Sequence, residues 1–164
     1  MKVDIEKIKE FANQRENENW TFRLHLKGSD IPIEEIDEKV NALYRRYSNE
    51  TDGTQCGNCW KEVTPILSEH DIHRISDALG ISVPEVRMKY GKLDEDGDIT
   101  FNSKPCPFLP GNICKMYESR PDDCRSYPHL HNGELIFRMG QAFRNCFMCP
   151  IVFYVYEGLK ERCG

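Results

Sequence analysis

The sequence predicts an α+β fold, mostly α: a single small domain whose loops wrap a cysteine-rich metal site. Three observations carry this expectation. Apolar residues recur at helical spacing in several stretches with capping signals at their ends. An Asp-Gly turn separates two short apolar runs. Eight cysteines fall largely in turn-rich sequence.

Each element follows in order. Val3, Ile5, Ile8 and Phe11 have roughly helical spacing, which predicts a helix within residues 3–18. Trp20, Phe22, Leu24 and Leu26 alternate with polar residues, which predicts a strand, and Gly28-Ser-Asp30 a turn. Ile33, Ile36, Val40, Leu43 and Tyr47 predict an amphipathic helix over 32–48. Ser68 with Asp71 opens a helix through Ile72, Ile75 and Leu79 that stops at Gly80. Ser82-Val-Pro-Glu85 is a capping box with proline in the first turn, for a helix ending near Gly91. Asp96-Gly97 predicts a hairpin joining Lys92-Leu93 to Ile99-Thr-Phe101. Residues 105–128, rich in Pro, Cys and turn formers, predict short irregular structure. Leu135 to Met139 reads as a strand. Pro150 starts a last helix with Val152, Val155, Tyr156 and Leu159 on one side. The domain reading is residues 1–48 as an N-terminal helical or extended segment packing on the core, and 49–164 as a cysteine-cluster metal-binding domain.

The 164 residues suffice for one core and leave little room for a second domain. A net charge of −5 argues against a general nucleic-acid binder, and no run is long enough to span a bilayer. The opening ten residues mix charges with isolated aliphatics and show no signal-peptide core, which places the chain in a reducing cytoplasm. There, closely spaced thiols serve as ligands or catalysts rather than bridges.

The thiols are spaced Cys56-x2-Cys59, Cys106-x7-Cys114-x9-Cys124 and Cys146-x2-Cys149, with Cys163 next to last. Two intervening residues let both sulfurs turn toward one metal, as in structural zinc and iron–sulfur sites. The pattern points strongly to metal and weakly to which metal. Cys56, Cys59, Cys106, Cys114, Cys124, Cys146 and Cys149 are the candidate ligands, and Cys163 is set aside because chain ends fray. All-thiolate ligation, with Pro107 after Cys106 and Pro150 after Cys149, favours an iron–sulfur cluster, most simply [4Fe-4S], with zinc the alternative. Arg120 and Arg125 could offset the charge of such a cluster, whereas Arg138 and Arg144 read as surface residues. His70 and His73 read as a polar helix surface. His129 and His131 are left outside the ligand set. Asp94 to Ile99 fails as a calcium loop, because Lys92 and Ser103 stand where acidic ligands are needed. As a dithiol redox pair, Cys56 and Cys59 lack a preceding strand.

Pro105-Cys-Pro-Phe-Leu109, Gly111-Asn-Ile-Cys114, Tyr117 and Arg120-Pro-Asp-Asp-Cys124-Arg-Ser-Tyr-Pro128 resemble the YkgJ-type cysteine-cluster family. That family is described as a zinc- or iron-chelating domain and includes the cysteine-rich part of flagellin lysine-N-methylases. Cys56-Gly-Asn-Cys59, the helix that follows and Leu79-Gly-Ile-Ser82 match the same layout. Cys149-Pro-Ile-Val and Leu159-Lys160 look like the end of archaeal-type members. Many members carry a cysteine directly after the first pair, where this chain has Trp60. The resemblance implies that Cys56, Cys59, Cys106, Cys114 and Cys124 converge on one site, with Tyr117 and Phe108 packed around it and Arg125 supplying positive charge.

The functional expectation is a cytoplasmic metal-binding protein with a redox or structural role, or a role accessory to a protein partner. No nucleic acid or membrane is involved, and no oligomeric state follows from the sequence. Protein lysine N-methylation and thiol–disulfide exchange are the enzymatic alternatives.

Overall fold

The computed structural model describes residues 4–164, apart from the side chains of Thr54 and Gln55. The chain runs α1 (Ile5–Gln14), α2 (Glu16–Gly28), α3 (Ile33–Glu50), α4 (Gly53–Cys56), α5 (Asn58–Glu62), α6 (Glu69–Leu79), α7 (Val83–Tyr90), β1 (Gly91–Leu93), β2 (Ile99–Phe101), α8 (Asp122–Ser126), α9 (Leu135–Asn145) and α10 (Pro150–Cys163). A 3₁₀ turn occupies Leu130–Asn132. The fold is α+β and mostly α, as the sequence predicts. Contacts divide it into two compact units: the residues up to Cys56 together with Pro128–Gly164, and Gly57–Tyr127.

The first unit is helical. α3 buries Ile36, Val40 and Leu43, the stripe that its periodicity predicts, and α10 buries Val152, Val155, Tyr156 and Leu159 with Phe153 beside them. Gly158 permits the close approach of α10 to α3, since a Cβ built there lies 2.7 Å from Leu43 Cδ2. Asp37 on α3 caps the start of α9, accepting from the Glu134 N–H at 2.6 Å and the Leu135 N–H at 3.1 Å. Arg138 donates to the His129 carbonyl at 2.8 Å and to that of Gly133, so it braces the preceding turn instead of lying free on the surface.

Two expected strands are helices. Residues 20–26 lie in α2, where only Phe22 and Leu26 of the alternating set are buried, in a stripe with Asn19, while Trp20 and Leu24 are exposed. A four-step alternation contains an i, i+4 pair, and that pair chose the helix. Leu135 to Met139 opens α9, whose buried face of Leu135, Ile136, Met139, Ala142 and Phe143 has helical period over a length that five residues cannot display. The first predicted helix divides at Arg15 into α1 and α2. Its Val3 lies outside the described residues.

The Gly57–Tyr127 unit follows its sequence signals. Ser68 and Asp71 form a reciprocal capping box on α6, which ends at left-handed Gly80, and Ser82 with Glu85 forms another on α7. β1 and β2 pair antiparallel across the Asp96-Gly97 turn, with Gly91 opposite Phe101. A bridge from Ile66 to Thr100 and a bond from the Leu67 N–H to the Ile99 carbonyl at 2.7 Å extend the pairing. Leu67, Ile72, Ile75, Val86, Phe101, Phe108 and Met116 form the core, and Cys106 and Cys114 pack against it.

Asp71 does more than cap. Its side chain is 2% exposed, and it accepts from the Ser68 N–H (2.9 Å) and hydroxyl (2.7 Å), from Arg74 Nη2 (2.5 Å) and from the Asp122 N–H (3.0 Å). Burial pushes its carboxyl up, but the bonds from Ser68 and Asp122 and the charge of Arg74 outweigh this and hold it below the usual value.

Two outcomes follow. Gly158→Ala should destabilise the chain by about 1–2 kcal/mol despite the better helix propensity of alanine, because the new methyl overpacks buried Leu43. Leu43→Ala in the same chain should absorb the methyl, giving a positive coupling in a double-mutant cycle, and additive effects would rule out the contact. For Asp71, a carboxyl held below its unfolded value adds stability that is present above the unfolded value and lost as pH falls through the folded one. Urea unfolding of wild type and Asp71→Asn should therefore differ most near neutral pH and converge as the pH falls below the usual carboxylate range. A gap independent of pH would show that the charge contributes nothing.

Candidate metal centre

The Gly57–Tyr127 unit contains Cys59, Cys106, Cys114 and Cys124, each delivered by a different local device. Cys59 lies in the first turn of α5, entered through left-handed Gly57. A Cβ on Gly57 would sit 3.1 Å from Asn112 Cβ, so the turn carrying Cys59 lies close against the loop carrying Cys114. The Cys106 N–H donates to the Trp60 carbonyl at 3.4 Å, tying the second segment to the first. The Lys115 N–H donates to the Phe108 carbonyl at 2.9 Å, folding the Cys114 loop back onto the Cys106 turn. Cys124 lies on the five-residue α8, which follows Pro121.

Cys106, Cys114 and Cys124 line one cavity of about 20 Å³, walled by apolar side chains including Trp60, Phe108 and Met116. Cys59 and Cys124 line an adjoining one, which shares Trp60, Val63 and Pro65 with the first. Phe108 is held edge-on to Phe101 at 5.5 Å and against Tyr90 at 4.8 Å, so the hydrophobic core supports the cavity floor. Trp60 meets the edge of Tyr117 at 6.3 Å, and the Arg120 guanidinium stacks on Tyr117 at 3.7 Å.

Burial sets the electrostatics. It pushes the Cys124 thiol up to about 12, and the nearby Cys106, Asp123, Cys114 and Cys59 reinforce the shift. Burial also raises Cys106, against the Phe108 N–H that faces its sulfur, and Cys114 adds to the rise. The two adjoining linings place these thiols in one neighbourhood. Among the described residues, no three His, Cys, Asp or Glu side chains stand close enough together to hold an ion. Capture of a metal therefore has to draw the sulfurs inward and take their protons. The donor set suits that capture, with four soft sulfurs, an apolar wall and a backbone N–H directed at one sulfur.

The other thiols lie in the helical unit. Cys56 is the last residue of α4. Cys146 and Cys149 are buried at the joint between α9 and α10, where the Cys146 thiol donates to the Ala142 carbonyl at 3.4 Å. Burial, then Cys149 and Glu157, drive the Cys146 thiol far above its usual range. Cys163 is also buried, and its carbonyl lies 3.2 Å from His25 Nε2.

The histidines and arginines are engaged differently. His70 and His73 are exposed on α6, with His70 Nδ1 3.0 Å from Arg74 Nη1. His131 stacks on Tyr44 at 5.6 Å. Arg120 lines the thiol cavity, whereas Arg125 donates to the carbonyls of Arg120 (3.2 Å) and Glu118. Arg125 thus braces the loop that leads to Cys124.

Sequence reasoning misses Arg74 and gives Asp71 only a capping role. Arg74 Nη2 donates to the Arg120 carbonyl at 3.0 Å and to Asp122 Oδ1 at 2.9 Å. Asp123 Oδ2 accepts from the Ile66 N–H at 3.1 Å. The Ser-x-x-Asp signature is visible in the sequence, but no local signal joins Asp71 to Asp122.

No helix among the described residues is long and apolar enough to cross a membrane. No curated protein and no solved structure matches the chain. The model of the CxxCxxCC family, described as a "putative zinc- or iron-chelating domain", matches residues 52–148. Of the thiols spelled in that name, Cys56 and Cys59 supply a C-x2-C pair, and Trp60 follows directly where a doubled cysteine would continue. With four thiols gathered in one unit and more than half of the chain matched, the chain belongs to this CxxCxxCC family of cysteine-cluster domains.

Proposed function

We propose that Cys59, Cys106, Cys114 and Cys124 together hold an iron–sulfur cluster of the [4Fe-4S] type, in a protein with a redox, structural or accessory role. The observation that supports this most directly is the gathering of four thiols around two adjoining apolar cavities, with no histidine among the described residues of their lining. All-thiolate ligation in a dry pocket is what such clusters use. The spacing argues the same way. Structural zinc sites take ligands from two close pairs, whereas Cys106, Cys114 and Cys124 are separated by seven and nine residues.

The chain's own groups have defined roles. Trp60 and Phe108 exclude water, the Phe108 N–H faces the Cys106 sulfur, and Arg120 brings positive charge to the wall. Once bound, a cluster of this kind supplies one-electron chemistry or a cross-link between the loops. Zinc is the second reading, favoured by the family description, which names zinc beside iron. Cys56, Cys146 and Cys149 lie outside the proposed ligand set.

Anaerobic purification tests the choice of centre. The expected protein is brown, with a broad violet absorption band, iron and labile sulfide. Serine at any of the four positions should abolish the colour, and Cys146→Ser should retain it. A colourless chain with one zinc and no sulfide would select the second reading, and a chain that binds neither would overturn both.

Loading should also release protons. With Cys124 near 12 and Cys106 raised, these thiols are protonated in the metal-free chain at neutral pH. Zinc added to the reduced, metal-free protein should displace about two protons or more, those of Cys106 and Cys124 among them, and its affinity should rise with pH. Calorimetry in two buffers of different ionisation enthalpy counts them. Release near zero would exclude thiolate ligation.

A further inference from the structure

We propose that Asp71 is the positioning residue for Cys124, setting that thiol for the metal from a different helix. This rests on the reading that Cys124 is a ligand.

α8 has five residues, and its N-cap residue, Pro121, supplies no side-chain cap. A helix so short does not hold itself together, and its first N–H groups need partners from elsewhere. Asp71 supplies one, accepting from the Asp122 N–H at 3.0 Å. Asp71 is itself immobilised by Ser68 and Arg74, on a helix packed into the core. Arg74 grips the same turn a second time, through the Arg120 carbonyl at 3.0 Å and the Asp122 carboxylate at 2.9 Å. On the other flank, Asp123 accepts from the Ile66 N–H at 3.1 Å. Cys124 directly follows these two aspartates, so its sulfur inherits the orientation that they impose. The loop around Cys114, where Ile113 is exposed, is bonded instead to the Cys106 turn, through the Lys115 N–H and the Phe108 carbonyl. Cys124 is therefore held from α6, independently of the turn and loop that carry Cys106 and Cys114.

Cobalt(II) titration of the reduced, metal-free full-length chain tests this, because thiolate-to-cobalt charge-transfer intensity grows with the number of thiolates bound. Wild type should show a four-thiolate spectrum. Asp71→Ala should show the weaker spectrum of Cys124→Ser, and its zinc affinity should fall about 10- to 100-fold. Asp71→Asn retains the acceptor for the Asp122 N–H and should recover most of the wild-type spectrum. Ser68→Ala loosens the same helix start but keeps the Asp71–Asp122 bond, so it should retain four thiolates. A folded Asp71→Ala with the wild-type spectrum and affinity would overturn the proposal, as would a Ser68→Ala that loses a thiolate equally. Should Asp71→Ala prove unfolded by circular dichroism, Asp122→Pro, which removes the N–H that Asp71 accepts at the first position of α8, where proline is tolerated, carries the test with the same two outcomes. A wild-type chain that shows no thiolate–cobalt bands and, purified anaerobically, holds neither cluster nor zinc would overturn the metal reading itself, and this inference with it; in a chain that takes up only the cluster, the same variants are read by the violet absorption band.

Discussion

A buried carboxylate has to be satisfied, and the way Asp71 is satisfied ties α6 to the start of α8. Four donors meet it: two from Ser68, one from Arg74 and one from the backbone of Asp122. Leaving any buried charge unmatched is costly, so these partners are held as a set. Through that set the hydrophobic core around Ile72 and Ile75 extends its rigidity to a segment too short to be rigid alone. Residues 105–121, otherwise turns, are folded between two fixed ends: the hairpin strand β2 on one side and the Asp71-anchored α8 on the other.

The thiols pull the other way. Sulfurs brought together in an apolar pocket resist ionising, and Cys124 carries the cost most heavily among them. A cation reverses that balance, because it supplies the positive charge that the apolar wall withholds. The pocket that makes bare thiolates unfavourable also makes a metal centre the natural partner for them. Trp60 belongs to both sides of this arrangement, since it walls the two cavities and its carbonyl receives the Cys106 N–H.

Local signals are legible in the sequence wherever they are redundant. The capping boxes at Ser68 and Ser82, the left-handed Gly80 and the Asp96-Gly97 turn each combine a side-chain preference with a backbone requirement, and the structure has all of them. The long stripes of α3 and α10 are equally plain. Residues 20–26 and 135–139 mislead because short apolar runs fit both periods. What decides them is the longer buried stripe each belongs to: Phe22 and Leu26 are buried with Asn19 on α2, and Leu135, Ile136 and Met139 with Ala142 and Phe143 on α9. Within the candidate site, the cysteine spacings mark the candidate ligands but not which of them gather.

By itself the sequence determined the side-chain chemistry of this protein: a mostly helical chain, rich in thiols, whose residues 52–148 match its family. Tertiary structure alone decided the grouping. It placed Cys59, Cys106, Cys114 and Cys124 in one unit and Cys56, Cys146, Cys149 and Cys163 in the other, and it joined Asp71 to Asp122. Residue type and spacing encode what a side chain can bond. Which residues meet across fifty positions is set by how the core packs, and a linear pattern carries no record of that.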